Sequence, residues 1–258
     1  MRRALTIAGS DSGGGAGVQA DLKVFHRFGV YGTSALTLVT AQNTLGIQAL
    51  HPLPPELVVA QIAAVATDLG TDAAKTGALG SAEVVEAVAW AIQRYGVRPL
   101  VVDPVMAATH GPPLLAEAAL QVLKAQLLPQ AALVTPNLHE AQALLGRPIR
   151  TEAEMREAAL ALLELGPRAV LLKGGHLEEA EAVDYLAEGG RLHRLAAPRH
   201  PTPHTHGTGC TYAAAITALL AQGRGLLEAV REAKAFVTRA IREAPGLGRG
   251  QGPLNHWA

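Results

Sequence analysis

The chain has 258 residues, a formal net charge of zero, 49% hydrophobic residues and 17% charged residues. This length and apolar content predict one large α/β domain spanning residues 1–258 and exclude a largely disordered chain. The balanced charge gives no electrostatic reason to expect nucleic acid or an anionic membrane as a partner, and the single cysteine, Cys210, excludes an internal disulfide and a four-cysteine zinc site.

The first residues do not match an export signal. Arg2 and Arg3 are followed by an apolar run that is too short for the core of a signal peptide, and glycine and aspartate follow at once. No stretch reaches the ~20 apolar residues of a membrane span without charged or turn residues. We therefore expect a cytoplasmic protein with no membrane partner.

Apolar runs alternate with longer amphipathic segments along the chain. The predicted strands cover residues 3–8, 34–40, 72–76, 99–102, 131–135, 169–173, 183–187 and 191–196. The predicted helices cover residues 16–28, 55–69, 81–95, 114–128, 137–145, 151–165, 208–221 and 226–243, with Ser81 and Thr151 as N-caps. This alternation predicts a mostly parallel sheet with helices on both faces and a late antiparallel hairpin at its edge.

Ligands of such sheets bind beyond the carboxyl ends of the strands, so the residues that follow each strand are site candidates. The glycine-rich run of residues 9–17 matches neither the phosphate-binding GxxxxGK[ST] pattern nor GxGxxG. It predicts either a tight turn or a substrate wall, because glycines let a ligand approach the backbone. Gln42 follows the second strand, and its amide suits either a planar heterocycle or a polar turn.

Carboxylates follow two later strands. Asp103 is the first polar group after the buried run 99–102, where a carboxylate can hold Mg²⁺ through water, although the start of a turn before Pro104 explains it slightly better on its own. Asn137 and Glu140 follow the next strand, and their spacing fits a helix cap as well as a cluster that binds metal and phosphate.

Residues 206–211 open a long apolar helix, where backbone N–H groups and the helix dipole favour an anion. Lys173 ends an earlier strand and offers a cation to the same phosphates. The helix N-terminus predicts a lowered pKa for the Cys210 thiol, and packing of the helix start is the alternative role. A metal site of His204, His206 and Cys210 is disfavoured because no fourth ligand is apparent.

Together these segments resemble the hydroxymethylpyrimidine/phosphomethylpyrimidine kinase family over nearly the whole chain. The resemblance is carried by residues 8–17, 29–34, 40–44, 102–106, 135–138, 173–176 and 205–211. It implies a ribokinase-like three-layer α/β fold and usually a homodimer. It also implies ATP- and Mg²⁺-dependent phosphorylation of 4-amino-5-hydroxymethyl-2-methylpyrimidine, and then of its monophosphate, in thiamine biosynthesis.

The resemblance further implies the roles of individual residues. The aminopyrimidine site would be formed by Gly9, Asp21, Gln42 and Val105. Mg²⁺ and its waters would be organised by Asp103, Glu140 and Asn137. The ATP phosphates would be contacted by Lys173, Thr208 and Asn137. The catalytic anion hole, with Lys173 beside it, would be formed by Gly207, Thr208, Gly209 and Cys210.

Two positions depart from what the resemblance implies. Most sugar kinases of the wider class have an aspartate base at the position of Cys210, and a thiol matches an alcohol proton less well, so its role as base or oxyanion-side group stays open. The family commonly has methionine at the position of Ala78, and alanine predicts a roomier pocket. Two alternatives follow: a pyridoxal kinase of the same fold, and a non-catalytic pyrimidine binder. The loop 107–113 is predicted to close over the site.

Overall fold

The computed structural model describes residues 1–107, 114–175 and 181–258. The strands within these residues are β1 (Arg3–Asp11), β2 (Tyr31–Asn43), β3 (Gly46–Pro52), β4 (Ala73–Thr76), β5 (Leu100–Val102), β6 (Leu133–Val134), β7 (Ala169–Lys173), β8 (Glu181–Glu188) and β9 (Arg191–Pro198). They form one sheet in the order β3-β2-β1-β4-β5-β6-β7-β8-β9. The strands from β2 to β7 in this order pair in parallel, whereas β3, β8 and β9 pair antiparallel at the edges. The predicted sheet and its late hairpin are confirmed.

The helices of the described residues are α1 (Gly17–Arg27), α2 (Pro55–Ala64), α3 (Ala82–Tyr95), α4 (Glu117–Val122), α5 (Leu138–Leu145), α6 (Glu152–Ala161), α7 (Thr208–Ala221) and α8 (Leu226–Arg242). Both predicted N-caps are confirmed: the Ser81 side chain accepts from the N–H of Val84, and Thr151 forms a capping box with Glu154. Three predicted helices are shorter than expected: α2 and α4 each pass into a wider π-helical turn, and α6 passes into a tighter 3-10 turn.

The helices cover both faces of the sheet. Helices α2 to α6 pack on one face, and α1, α7 and α8 pack on the other, each over its own apolar core. The side chains of strand β5 alternate between the two cores: Leu100 and Val102 pack in the first, and Val101 packs in the second. The three-layer α/β prediction is therefore confirmed.

Helix α7 is buried along most of its length and packs against α1, α8 and the central strands. A helix that is apolar on all sides needs such a position. As a result, its N-terminus lies at the carboxyl edge of the sheet, where the other candidate residues also lie.

Strand β3 was missed from the sequence. No residue of Gly46–Pro52 is buried and the last five are exposed, so the segment lacks the alternation that a half-buried strand shows. Most of the predicted closing loop 107–113 lies outside the described residues. No helix in the described parts of the chain is long and apolar enough to cross a membrane.

Candidate active site

A cleft of about 1010 Å³ opens along the carboxyl edge of the parallel strands. Eleven of the twelve residues that the sequence singled out line it: Gly9, Gln42, Asp103, Val105, Asn137, Glu140, Lys173, Gly207, Thr208, Gly209 and Cys210. They come from strand ends and from the start of α7, as the rule for open α/β sheets predicts. The exception is Asp21.

The loop before α7 approaches the glycine-rich loop very closely. Gly207, the N-cap of α7, has a φ of +81°, and a Cβ atom there would overlap the carbonyl oxygen of Gly15. Only glycine fits both conditions. A glycine N-cap offers no side-chain acceptor to the first turn of the helix. The Thr208 N–H donates to the Thr205 carbonyl at 3.2 Å, so the next N–H groups, those of Gly209 and Cys210, and the positive end of the helix dipole are left for an anion.

A cation and a carboxylate lie beside these N–H groups. Lys173 Nζ is 3.0 Å from Asp103 Oδ1, and the Thr135 hydroxyl donates to the same oxygen at 2.9 Å. A Cβ atom on Gly209 would be 3.3 Å from Lys173 Nζ and 3.7 Å from Asp103 Oδ2. Burial favours the neutral amine, but the carboxylates of Asp103 and Glu140 outweigh it and hold the pKa of Lys173 above its usual value. The lysine is therefore a fixed positive charge at the anion loop.

Glu140 caps α5 and faces this charge cluster. It accepts from the Asn137 N–H at 2.8 Å, while the Asn137 side chain accepts from the Glu140 N–H at 3.0 Å. Burial raises the pKa of Glu140 to about 7, and Asp103 adds to the shift while Lys173 opposes it. The capping role and a place in the charge cluster thus coexist in one residue.

The expectation that the Cys210 thiol has a lowered pKa is wrong. Burial raises the pKa of the Cys210 thiol to about 11; Lys75 opposes the shift, and the carboxylates of Asp21 and Asp103 add to it. The helix N-terminus that should favour a thiolate is outweighed by desolvation and by these negative charges. Cys210 is consequently a neutral thiol at physiological pH.

Asp21 lies deeper than the other predicted site residues. It is fully buried, accepts from Lys75 Nζ at 2.8 Å and from the Thr6 hydroxyl at 2.6 Å, and does not line the cleft. One of its two oxygens has no hydrogen-bond partner among the described residues, and its contact with a bound ring stays a prediction. Lys75 was missed from the sequence, although a lysine inside a short strand that is otherwise apolar signals a buried pair.

A second part of the cleft carries an amide and small wall residues. Gln42 lines the cleft, with its Oε1 3.1 Å from the Thr40 hydroxyl. Ala78 and Val105 contribute apolar wall in the same cleft, and a Cβ atom on Gly9 would come within 2.6 Å of the Leu38 side chain. This part of the cleft suits a flat, partly polar ring that pairs with one amide.

Residues 11–255 match the model of the phosphomethylpyrimidine kinase family. The chain belongs to this family. The family predicted from the sequence is therefore confirmed, and with it the class of enzyme, a kinase.

Relatives of this family member have the same length or twice the length. The hydroxymethylpyrimidine/phosphomethylpyrimidine kinase of Haemophilus influenzae is 48% identical over 100% of this chain and 97% of its own length. The thiamine biosynthesis bifunctional protein of Geobacter sulfurreducens is 53% identical over 98% of this chain, but the chain spans only 51% of that protein.

Solved structures of pyridoxal kinases and of a phosphomethylpyrimidine kinase resemble the fold of this chain. An ADP complex of Bacillus subtilis pyridoxal kinase has a TM-score of 0.93 at 41% identity, covering 99% of this chain and 97% of that one. The phosphomethylpyrimidine kinase of Clostridium difficile has a TM-score of 0.83 at 40% identity, covering 93% of this chain and 100% of that one. The ribokinase-like fold expected from the sequence is confirmed.

Proposed function

We propose that this chain transfers the γ-phosphoryl group of ATP to 4-amino-5-hydroxymethyl-2-methylpyrimidine and then to its monophosphate, as a step of thiamine biosynthesis. One observation carries the proposal: a single cleft has an apolar part where a ring can bind beside the Gln42 amide and, next to it, the anion loop with Lys173. An acceptor hydroxymethyl group and a γ-phosphate can meet in such a cleft. Family membership supports the choice of the aminopyrimidine.

In this mechanism the protein acts mainly by positioning and by electrostatics. The N–H groups of Gly209 and Cys210, together with Lys173, hold the charge that develops on the transferred phosphoryl group. A neutral Cys210 thiol is compatible with the reaction, because phosphoryl transfer passes through a loose transition state in which the attacking oxygen needs little activation. In the second transfer the acceptor is already a phosphate oxygen, so it needs no base.

Magnesium fits the donor set of the cleft. Asp103 and Glu140 provide oxygen ligands, which Mg²⁺ prefers, and few protein carboxylates suffice because the ion keeps several waters. Asn137 adds an amide beside them. When bound, the ion would neutralise charge on the phosphates of ATP.

Pyridoxal remains an alternative substrate, because its ring could occupy the same part of the cleft in place of the pyrimidine. Ala78 presents only a methyl group to the wall, and structures of pyridoxal kinases resemble this fold closely. The test is to incubate the protein with Mg-ATP and, separately, the hydroxymethylpyrimidine, its monophosphate and pyridoxal, and to follow ADP and phosphorylated product. Turnover of both pyrimidines above pyridoxal agrees with the proposal, whereas preferential turnover of pyridoxal contradicts it.

The variant Ala78→Met sharpens this comparison. A longer side chain at this position narrows the cleft and should lower turnover of pyridoxal more than turnover of the pyrimidine. An equal loss for both substrates would show that Ala78 does not determine substrate range.

We also propose that residues 1–258 act as one cytoplasmic domain that forms a homodimer and binds no nucleic acid. The family resemblance supports the dimer, and sedimentation equilibrium measures it directly.

A further inference from the structure

Asp11, at the end of β1, organises the glycine-rich loop. Its buried carboxylate accepts from the backbone N–H groups of Gly13, Gly15 and Ala16 at 2.8, 3.0 and 2.9 Å. Burial works against the charged form, but the hydrogen bonds from His206 and from this backbone prevail and hold the pKa of Asp11 below its usual range. The loop is thus wrapped around one ionised side chain.

The fourth partner of this carboxylate comes from the anion loop. His206 Nε2 lies 3.0 Å from Asp11 Oδ2, and His206 directly precedes the N-cap Gly207. An ionised carboxylate only accepts hydrogen bonds, so the ring nitrogen that faces it must carry a proton. A Cβ atom on Gly15 would come within 2.6 Å of His206 Cδ2, which shows how tightly the two loops pack.

His206 also faces the Gln42 side of the cleft and the C-terminal segment. Its Nε2 lies 3.4 Å from Gln42 Nε2; because Nε2 donates to Asp11, both nitrogens are donors and this is a packing contact. Its backbone N–H donates to the carbonyl of Gly252 at 3.1 Å, and the N–H of Gln251 donates to the carbonyl of Thr44 at 2.9 Å. The histidine therefore lies where the Gln42 side chain, the glycine-rich loop, the anion loop and the C-terminal segment meet.

We propose that Asp11 and His206 form a positioning pair that holds the glycine-rich loop and the anion loop together, in the arrangement that binds the pyrimidine beside the γ-phosphate. The proposal rests on the proposed function. Neither residue transfers a proton or contacts the phosphoryl group in this account. Both act through the loops that they connect, so their loss should affect the alignment of the two substrates more than the stability of the fold.

The variants follow from the atoms involved. His206→Phe keeps a ring but removes Nε2, whereas His206→Gln keeps an amide N–H at about the same distance from the backbone. Loss of a hydrogen bond to a charged group is expected to lower kcat/KM for the hydroxymethylpyrimidine about tenfold or more in His206→Phe, mainly through KM for the pyrimidine. His206→Gln should recover most of this loss, which a purely packing role of the ring would not allow.

A second variant tests whether the two residues act as one unit. Asp11→Asn should lose at least as much as His206→Phe, because it also disturbs the hydrogen bonds of the glycine-rich loop, and the double variant should lose no more than Asp11→Asn alone, because each change already breaks the same contact. Lys23→Met is the matched control: Lys23 Nζ donates to the Gly14 carbonyl of the same loop at 2.6 Å, is exposed, and does not bridge to the anion loop. Its kcat/KM should stay within about twofold of wild type.

Binding of the pyrimidine, measured by calorimetry on all five variants and wild type, separates this proposal from the proposed function. Weaker binding in both single variants with recovery in His206→Gln supports the pair, even if wild type transfers no phosphoryl group, which would overturn the function alone. Unchanged binding and kinetics in His206→Phe, or multiplied losses in the double variant, would overturn the pair.

Discussion

The buried pair of Lys75 and Asp21 allows a sharp test of what supports the cleft wall. Both side chains are fully buried, with Nζ and Oδ2 2.8 Å apart. Among the described residues, the other oxygen of Asp21 has no hydrogen-bond partner. Lys75→Met would keep the volume of the side chain and remove its charge, so the buried Asp21 carboxylate would keep the hydrogen bond from Thr6 but lose its counter-charge.

The expected cost follows from these contacts. Removing one member of a buried ion pair costs about 3–5 kcal/mol of unfolding free energy. For a chain of this size each kcal/mol corresponds to about 2–4 °C in melting temperature, so Lys75→Met should melt roughly 6–20 °C below wild type. Urea unfolding followed by circular dichroism measures the free energy, and calorimetry measures the melting temperature.

The double variant Asp21→Asn with Lys75→Met is the control. It removes both charges while the amide oxygen of the introduced asparagine can still accept from the Thr6 hydroxyl, so it should recover most of the lost stability. A Lys75→Met protein within about 1 kcal/mol of wild type would refute the reasoning. A double variant as unstable as the single one would assign the loss to packing rather than to charge.

Three further predictions concern single side chains. Lys173→Ala should lower kcat/KM for ATP by about 10²-fold or more, and unchanged steady-state kinetics would contradict its phosphate role. Cys210 should react slowly with iodoacetamide at pH 7.5 and faster as the pH approaches its pKa of about 11; fast labelling at pH 7.5 would show a lowered pKa instead. His256 accepts or donates at 3.2 Å from the Thr211 hydroxyl, and burial, with Lys23 and His206 nearby, lowers its pKa to about 4. Between pH 6.5 and 4 the unfolded chain therefore binds a proton that the folded chain does not. This should lower the unfolding free energy by about 2 kcal/mol from pH 7.5 to pH 5. Urea unfolding should show a smaller loss in His256→Gln, and a loss equal to that of wild type would exclude His256 as the source.

Much of the architecture was predictable because local and global signals agree. Ser81 and Thr151 mark helix starts with short polar side chains, and the apolar run of β5 marks a strand buried on both faces. Strand β3 was not predictable from its own residues, because pairing with β2 forms it while its side chains stay exposed. Such a strand forms because its backbone hydrogen-bonds to a neighbouring strand, and its own side-chain pattern does not reveal it.

The site shows the same division. Lys173 and the glycines before α7 could be placed from the rule that ligands bind at strand ends, and they do line the cleft. The state of Cys210 could not, because its pKa depends on how deeply the fold buries it and on carboxylates that are distant in sequence. The position of Asp21 likewise depends on Lys75, which lies 54 residues away.

The cleft is assembled from nearly the whole chain, since its wall includes Gly9 near one end of the sequence and Gln251 near the other. Contacts between residues so far apart form only after the intervening sheet has closed a large loop, which makes them slow to form. Substrate binding should therefore appear late during refolding, after most of the helical signal has returned. A fragment that omits either end of the chain would lack one wall of the cleft. If the chain were divided into two polypeptides, both would have to associate before a ligand could bind.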